Sequence, residues 1–253
     1  MTEPADDITL DGLLGQQIRL RQPRQSYRAG SDAILLAATV PARPGQTVLD
    51  AGAGVGAIAL CLAHRCRQVT VRGLELQPRL AELANENAQA NSLADRVSVH
   101  QGDIRRAPSE IAQARFDHTV CNPPFHPEGR SSPSPDDGKA LAHGEGETPL
   151  ADWLAFCLKR TRPGGTISLI HRAERLPDLL AGLGRGAGDL VILPLWPGPD
   201  RPARRVIVQA TAQARGPAVL LPGLMMHQAD GEDSEAARAV LRRGEALDLV
   251  RPR

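Results

Sequence analysis

The segment Val48–Gly56, with the sequence VLDAGAGVG, decides the fold of this chain of 253 residues. Its first residues are apolar, as in a buried strand, and a helix is predicted to follow at Val55–Ala63. Three glycines between them allow a sharp turn and a close approach of the backbone to a ligand. Such a turn at the carboxyl end of a strand is typical of an open α/β sheet that binds a ligand beyond its strand ends.

Strands and helices alternate on both sides of this turn. The predicted strands are Thr47–Asp50, Val69–Leu76, Val97–Gln101, Phe116–Asn122, Thr166–His171, Leu190–Leu195 and Arg204–Ala212. The predicted helices after the first are Pro78–Asn91, Leu150–Arg160 and Ala173–Leu183. This alternation predicts a mostly parallel sheet of seven strands with helices on both faces. The last two strands are too close in sequence for a helix between them, so we expect them to pair antiparallel.

The residues before the turn predict a small extension of the sheet domain. Ile8–Arg21 is typical of a hairpin, with its turn at Asp11-Gly12. A helix is predicted from Ser31 to Val40, with Ser31 as its cap and Asp32 in its first turn. Pro41 then ends this helix.

Composition excludes several classes of protein. Hydrophobic residues make up 42% and charged residues 23%, with a net charge of +1, which is typical of a globular protein without a strong overall field. No apolar run is long enough to cross a bilayer, and the acidic start lacks the pattern of a secretion signal, so a cytoplasmic location is expected. The four cysteines form no CxxC pair, and we predict no metal site.

Two carboxylates predict which cofactor the glycine turn binds. Gly52, Gly54 and Ala57 also fit a dinucleotide-binding pattern. Asp50, however, precedes the turn, and a fixed negative charge there suits an ammonium or sulfonium centre better than a pyrophosphate. Glu75 ends the next strand, where a carboxylate can accept both hydroxyls of a ribose. We therefore expect S-adenosylmethionine, with an NAD-dependent oxidoreductase as the remote alternative.

Residues after the third and fourth strands complete this candidate site. Asp103 is expected to accept from the adenine amino group, and Ile104 to pack against the adenine ring. Asn122-Pro123-Pro124-Phe125 follows the fourth strand. The prolines remove two N–H donors, which leaves the Asn122 side-chain oxygen and the Pro123 carbonyl as acceptors. These two acceptor oxygens favour a planar amino group as the methyl acceptor. Phe125 offers a surface on which the ring that carries the amino group can stack.

These motifs and their flanks carry a family resemblance. DAGAG followed by NPPF resembles the class I, Rossmann-like methyltransferases that act on amino nitrogens. QSYRAGSDAILLAA, PSPDDGKALAHGE, RPGGTISLIHRAERL and ARRVIVQA resemble the bacterial family of the valine-tRNA adenine-N6 methyltransferases. The resemblance implies a catalytic set and a cofactor set. The catalytic set is Asn122, Pro123, Pro124 and Phe125. The cofactor set is Tyr27, Arg28, Asp32, Asp50, Gly52, Gly54, Gly56, Glu75, Leu76, Asp103, Ile104 and Asn122.

The resemblance also implies how the chain is organised. Residues 1–45 would form a hairpin and helix that close over the cofactor, and residues 46–253 the methyltransferase domain. The long irregular stretch 126–148 would be a lid over the substrate. The implied reaction is methylation of adenine N6 in tRNA. Guanine N2 in ribosomal RNA, or another N- or O-acceptor, remains as an alternative, because NPPF followed by His126 also occurs in guanine-N2 enzymes.

Overall fold

The computed structural model describes residues 8–24, 28–124 and 148–249. Its strands are β1 Ile8–Leu13, β2 Ile18–Pro23, β3 Thr47–Ala51, β4 Thr70–Glu75, β5 Val97–Gln101, β6 Phe116–Cys121, β7 Thr161–Arg172, β8 Ala187–Trp196, β9 Arg205–Ala212, β10 Val219–Leu220 and β11 Leu224–Met225. Its helices are α1 Ser31–Ala38, α2 Ala57–Arg65, α3 Pro78–Ala90, α4 Ser109–Ala112, α5 Leu150–Arg160, α6 Leu176–Leu183 and α7 Glu235–Arg243. A 3-10 turn at Ala173–Arg175 precedes α6.

The main sheet confirms the predicted class I methyltransferase fold. Its strand order is β10-β8-β9-β7-β6-β3-β4-β5, and β11 pairs with β8. The neighbours from β5 to β7 are parallel, whereas β9 runs antiparallel between β7 and β8. The seven predicted strands are thus present, with the last one antiparallel as expected. Two short strands that the sequence did not predict, β10 and β11, extend the edge beside β8.

Helices cover both faces of this sheet, as the alternating pattern predicts. Neighbouring residues of β3 point to opposite faces, so Val48 packs in one hydrophobic cluster and Leu49 in the other. The first cluster contains α1, α2, the buried side of α3 and the hairpin β1–β2, and the second contains α5 and α6. In the described part of the chain, no helix is long and apolar enough to cross a membrane.

The strand order places one crevice at the carboxyl edge of the sheet. From β3 the chain proceeds outward through β4 and β5, and then returns to β6 on the other side of β3. Ligands of open α/β sheets bind at such a point, where the order reverses. The glycine turn follows β3 and Asn122-Pro123-Pro124 follows β6, so the topology brings the two motifs to the same crevice.

Two local predictions in the N-terminal extension are wrong. The hairpin turn lies at residues 14–17, because Asp11 and Gly12 pair with Leu20 and Arg19 inside the ladder. Leu14 is buried, and its burial anchors the turn there despite its left-handed φ of 51°. Ser31 is the first helical residue and Gly30 takes the cap position, with no side-chain cap hydrogen bond.

Candidate active site

A cleft of about 580 Å³ lies at the crevice between the carboxyl ends of β3, β4 and β6. Most of the predicted site residues line it: Arg28, Asp32, Gly52, Gly54, Glu75, Leu76, Asp103, Ile104, Asn122, Pro123 and Pro124. Asp50 and Gly56 are buried and are not part of the lining. Tyr27, Phe125 and the predicted lid lie outside the described residues, except Thr148, which is buried at the cleft wall.

Glu75 holds the glycine turn against the end of β4. Its Oε2 accepts a hydrogen bond of 2.8 Å from the Gly54 N–H, and its Oε1 accepts one of 2.9 Å from the Gln77 N–H. Burial raises the pKa of the Glu75 carboxyl, and these backbone donors limit the rise. A carboxylate oxygen has two lone pairs, so each oxygen keeps one for a further donor. Glu75 can therefore accept two hydroxyl groups of a ligand without releasing the turn.

Asp50 is a buried carboxyl without a hydrogen-bond partner in the described part of the chain. It is fully buried on β3, two residues before Gly52. Burial raises its pKa to about 7, and the charge of Glu75 adds to the rise. The Ala59 N–H near the start of α2 opposes the rise without forming a hydrogen bond. When it is ionised, such a buried carboxylate destabilises the folded protein unless another group compensates its charge.

We expect Asp50→Asn to raise the stability of the ligand-free protein more at pH 8 than at pH 5. A carboxyl whose pKa rises on folding from 3.8 to about 7 contributes stability at low pH, and that stability is lost as the pH rises through about 7. The asparagine variant cannot ionise, so it avoids a cost on the order of 4 kcal/mol at pH 8 and on the order of 1.5 kcal/mol at pH 5. Melting temperatures of both proteins at the two pH values test this. An equal difference at pH 5 and pH 8 would contradict it.

The glycines of the turn serve different purposes. At Gly54, whose φ is +54°, an added Cβ would meet no protein atom within 4 Å, so the backbone lies open to the cleft. Gly56, at φ +86°, lets α2 approach Ala84 of α3. Gly52 lies against the edge of the Trp153 ring, where a Cβ would be only 3.1 Å from the ring atoms. The turn is therefore open above Gly54 and packed against protein at its other two glycines.

Asp103 lies at the cleft, but an arginine holds its carboxylate. The Arg105 guanidinium donates to both carboxylate oxygens, with the shortest bond 2.7 Å, and the Arg105 N–H adds a bond of 2.8 Å. The Arg105 side-chain bond is the largest influence that lowers the pKa of Asp103. The carboxylate thus stays ionised and fixed beside Ile104, where it can still accept from a ligand amino group.

The hairpin positions the N-terminal wall of the cleft. Arg28 donates to Thr9 and Asp11 of β1 with bonds of 2.7 and 2.6 Å. The buried Gln22 accepts from the Ala29 N–H at 2.9 Å. On the opposite side, the Arg205 Nε donates to Asp32 at 3.1 Å, which joins α1 to the start of β9. Segment 28–33 is thereby fixed over the cleft from both sides.

The Asn122-Pro123-Pro124 segment presents acceptors at the end of β6. The Asn122 Oδ1 atom is buried, and both prolines line the cleft without N–H donors. His171, fully buried on β7, accepts from the Arg172 N–H through Nδ1 at 2.8 Å. Burial, with three nearby arginines, lowers the pKa of His171 to about 4, while the Pro124 carbonyl opposes the fall. A neutral histidine therefore packs beside the motif.

Cys121, the last residue of β6, is not a candidate nucleophile. The thiol is fully buried, and burial raises its pKa well above the usual value. Since a thiolate is the reactive form, this cysteine is unreactive at neutral pH. Its role is packing in the second hydrophobic cluster.

Three of the cleft residues that were not among the predicted site residues bear on ligand binding. They are Trp153, Arg172 and Arg205. Trp153 lies on α5, and its indole N–H is buried without a hydrogen-bond partner in the described ranges. Its spacing within an amphipathic helix indicates only a packing role, so no local signal distinguishes it. Arg172 and Arg205 face each other at the ends of β7 and β9, a pairing that the sequence alone does not reveal.

Comparison with known proteins finds a methyltransferase family model and relatives that are named methyltransferases. A family model described as methyltransferase small domain matches residues 28–134. A tRNA1(Val) (adenine(37)-N6)-methyltransferase from Aeromonas hydrophila is 34% identical over 173 residues, which are 67% of this chain and 70% of the relative. One of the same name from Porphyromonas gingivalis is 37% identical over 160 residues, 61% of this chain and 62% of the relative. In the latter the matched region is less than two thirds of the relative.

A solved structure is similar over almost its whole length. It is described as a predicted O-methyltransferase from Agrobacterium tumefaciens and superposes with a TM-score of 0.70. The match covers 86% of this chain and 98% of that one at 24% identity. At this identity the similarity supports the fold, and the acceptor atom has to be argued from the cleft.

Proposed function

The chain belongs to the family of the bacterial tRNA1(Val) (adenine(37)-N6)-methyltransferases, and on that premise we propose that it methylates an exocyclic amine of a tRNA base. The cofactor is S-adenosylmethionine, and the acceptor is N6 of an adenine. The observation that carries the proposal is the juxtaposition of Glu75 and the glycine turn with Asn122-Pro123-Pro124 in one cleft. A nucleoside site and an amine-accepting site thus adjoin.

The cofactor site fits an adenosyl sulfonium compound. Glu75 keeps one lone pair on each oxygen for the ribose hydroxyls, and the open backbone at Gly54 leaves room beside them. Leu76 is 51% exposed, which leaves an apolar surface beside Asp103 for the adenine. Asp50 and Glu75 supply negative charge near the turn, which favours a cationic ligand over a pyrophosphate. When bound, this cofactor supplies the methyl group from its sulfonium centre.

The acceptor site suits a planar amine. The Asn122 oxygen and the Pro123 carbonyl can each accept one N–H of an NH₂ group, and the prolines add no competing donor. As the nitrogen attacks, it gains positive charge, so these bonds strengthen in the transition state. No base has to remove a proton before the attack. The target base must first leave its stack, which costs least in an unpaired loop.

The pairing of Asp32 with Arg205 supports closure of the N-terminal segment over this cleft. Arg205 is the first residue of β9 and pairs with Arg172 on β7. Both arginines line the cleft. We expect these guanidinium groups to contact phosphate oxygens of the RNA, because phosphate contacts fix the position of a nucleic acid. The proposed function also implies a tRNA as the partner and a cytoplasmic location.

The decisive test identifies the methylated nucleoside. Purified protein, labelled S-adenosylmethionine and an unmodified tRNA1(Val) transcript are incubated, and the RNA is digested to nucleosides for mass spectrometry. N6-methyladenosine that appears with wild type supports the proposal. N2-methylguanosine would reassign the target base within the same mechanism. Methyl transfer to a hydroxyl would contradict the role given to Asn122.

A further inference from the structure

We infer that a second groove beside the cleft, formed around Trp196, binds an unpaired base of the RNA that flanks the methylated nucleotide. This inference rests on the proposed function, since it places a second nucleotide of the same substrate. The groove has a volume of about 450 Å³ and is formed by Trp196, Arg201 and Met225 between Pro202 and Pro222. Arg201, Met225 and both prolines are exposed, and Trp196 is half-buried.

The Trp196 ring is held in one orientation. Its indole N–H donates a hydrogen bond of 3.0 Å to the Pro222 carbonyl. Gly223 follows with a φ of +98°, and any Cβ there would collide with the indole nitrogen. The chain therefore uses a glycine to bring backbone against the edge of the ring. A rigid aromatic ring at the surface loses little freedom on binding, which suits a stacking platform for a base.

The groove continues the cleft along the same edge of the sheet. Arg205 on β9 pairs with Arg172 on β7 and with Leu195 on β8, the residue before Trp196. β11 then follows, with Met225 paired to Trp196. From the end of β6 to β8 there are three strand spacings, or about 14 Å at ~4.8 Å each. A single RNA strand whose target base enters the cleft would therefore pass Trp196 with a neighbouring nucleotide.

Charge between the two sites favours this path. Arg172 and Arg205 lie between the acceptor motif and Trp196, and Arg201 lies in the groove itself. Arg172, Arg175 and Arg205 act together on His171, which places their positive charges close to one another. Each of them is already paired with a carboxylate: Arg172 with Glu174, Arg175 with Asp178 and Arg205 with Asp32. Phosphates of a passing strand would therefore share these arginines or replace their partners. Asp200, the acidic residue of the groove, can accept from the amino group of a stacked base.

The test compares Trp196→Ala with Trp196→Phe and with Leu220→Ala as a matched control. Leu220 is 68% exposed on β10, beside β8 but outside the groove. Binding of a tRNA1(Val) transcript is measured by filter retention at several salt concentrations. Trp196→Ala should raise the Kd about 5- to 100-fold, as expected from the loss of one stacked base. Trp196→Phe should recover most of the affinity, and Leu220→Ala should bind as wild type does.

Four further readouts separate docking from misfolding or chemistry. The Kd for S-adenosylmethionine and the melting temperature should be the same in Trp196→Phe and wild type. At saturating RNA, Trp196→Ala should transfer methyl as fast as wild type does, because the groove contacts no reacting atom. Arg201→Ala should reduce the salt dependence of binding by about one phosphate contact, whereas Trp196→Ala should leave it unchanged.

Two results would overturn the inference. The first is an RNA affinity that is unchanged in Trp196→Ala, or reduced to the same extent in Leu220→Ala. The second is a change of oligomeric state in Trp196→Ala with RNA binding intact, which would make the groove a contact between copies of the chain. If wild type binds the transcript but methylates no RNA, the proposed function fails, and the effect of Trp196→Ala on binding still decides the groove.

Discussion

Asn122→Ala is expected to bind S-adenosylmethionine normally and to transfer the methyl group about 100- to 1000-fold more slowly than wild type, as for the loss of one preorganised hydrogen-bonding group. Asn122 directly follows β6 at the cleft, where its buried oxygen faces the acceptor rather than the adenosine in the proposed complex. The bond strengthens as charge grows on the attacking nitrogen, so its loss should lower kcat more than it raises KM. Single-turnover methyl transfer with saturating cofactor and RNA measures this step directly.

Asn122→Asp is the matched variant, since it keeps an acceptor oxygen at the same position. We expect it to retain much more activity than the alanine variant. Calorimetry with S-adenosylmethionine should give the same Kd for all three proteins, which excludes an indirect effect through the cofactor. An Asn122→Ala protein that reacts at the wild-type rate would contradict amine methylation, and an oxygen or carbon acceptor would replace it.

The sequence predicts the fold well where local patterns and burial agree. The turn at Gly52–Gly56 follows a strand that is buried on both faces, and α5 begins and ends at the predicted residues. The hairpin shows the opposite case. Asp11-Gly12 is a strong turn signal, yet alternate burial of Ile18 and Leu20 in β2 and burial of Leu13 and Leu14 at the end of β1 fix the register. Hydrophobic burial therefore outweighs the local preference of a dipeptide.

The candidate site likewise contains residues that the sequence predicts and residues that it does not. Glu75, Asp103 and Asn122 follow successive strands, and parallel strand ends meet at one edge, so their proximity is predictable. Arg205 and Trp196 reach that edge only because β9 inserts between β7 and β8. Spacing along the chain indicates that the last two strands pair, but it does not give the order in which three strands lie. Residues on them consequently carried no signal of the site.

Glu75→Ala is expected to weaken S-adenosylmethionine binding by roughly 1.5–3 kcal/mol, the scale of hydrogen bonds to a charged group. In this structure the carboxylate fixes the amides of Gly54 and Gln77, and in the proposed complex the remaining lone pair on each oxygen accepts a ribose hydroxyl. The alanine variant loses both sets of hydrogen bonds. Isothermal titration calorimetry with S-adenosylhomocysteine, which has the same ribose, measures the loss without turnover.

Glu75→Gln distinguishes the carboxylate from a merely polar side chain. One of its two ends must be an NH₂ group, which would face the N–H of either Gly54 or Gln77, so we expect this variant to bind weakly as well. Glu82→Ala is the matched control, because Glu82 is an exposed carboxylate on α3 outside the cleft, paired only loosely with Arg79 at 3.7 Å. It should bind as wild type does. If Glu75→Ala and Glu82→Ala give the same affinity, Glu75 does not hold the ribose, and the cleft must bind its nucleoside through the backbone of the glycine turn and Asp103 instead.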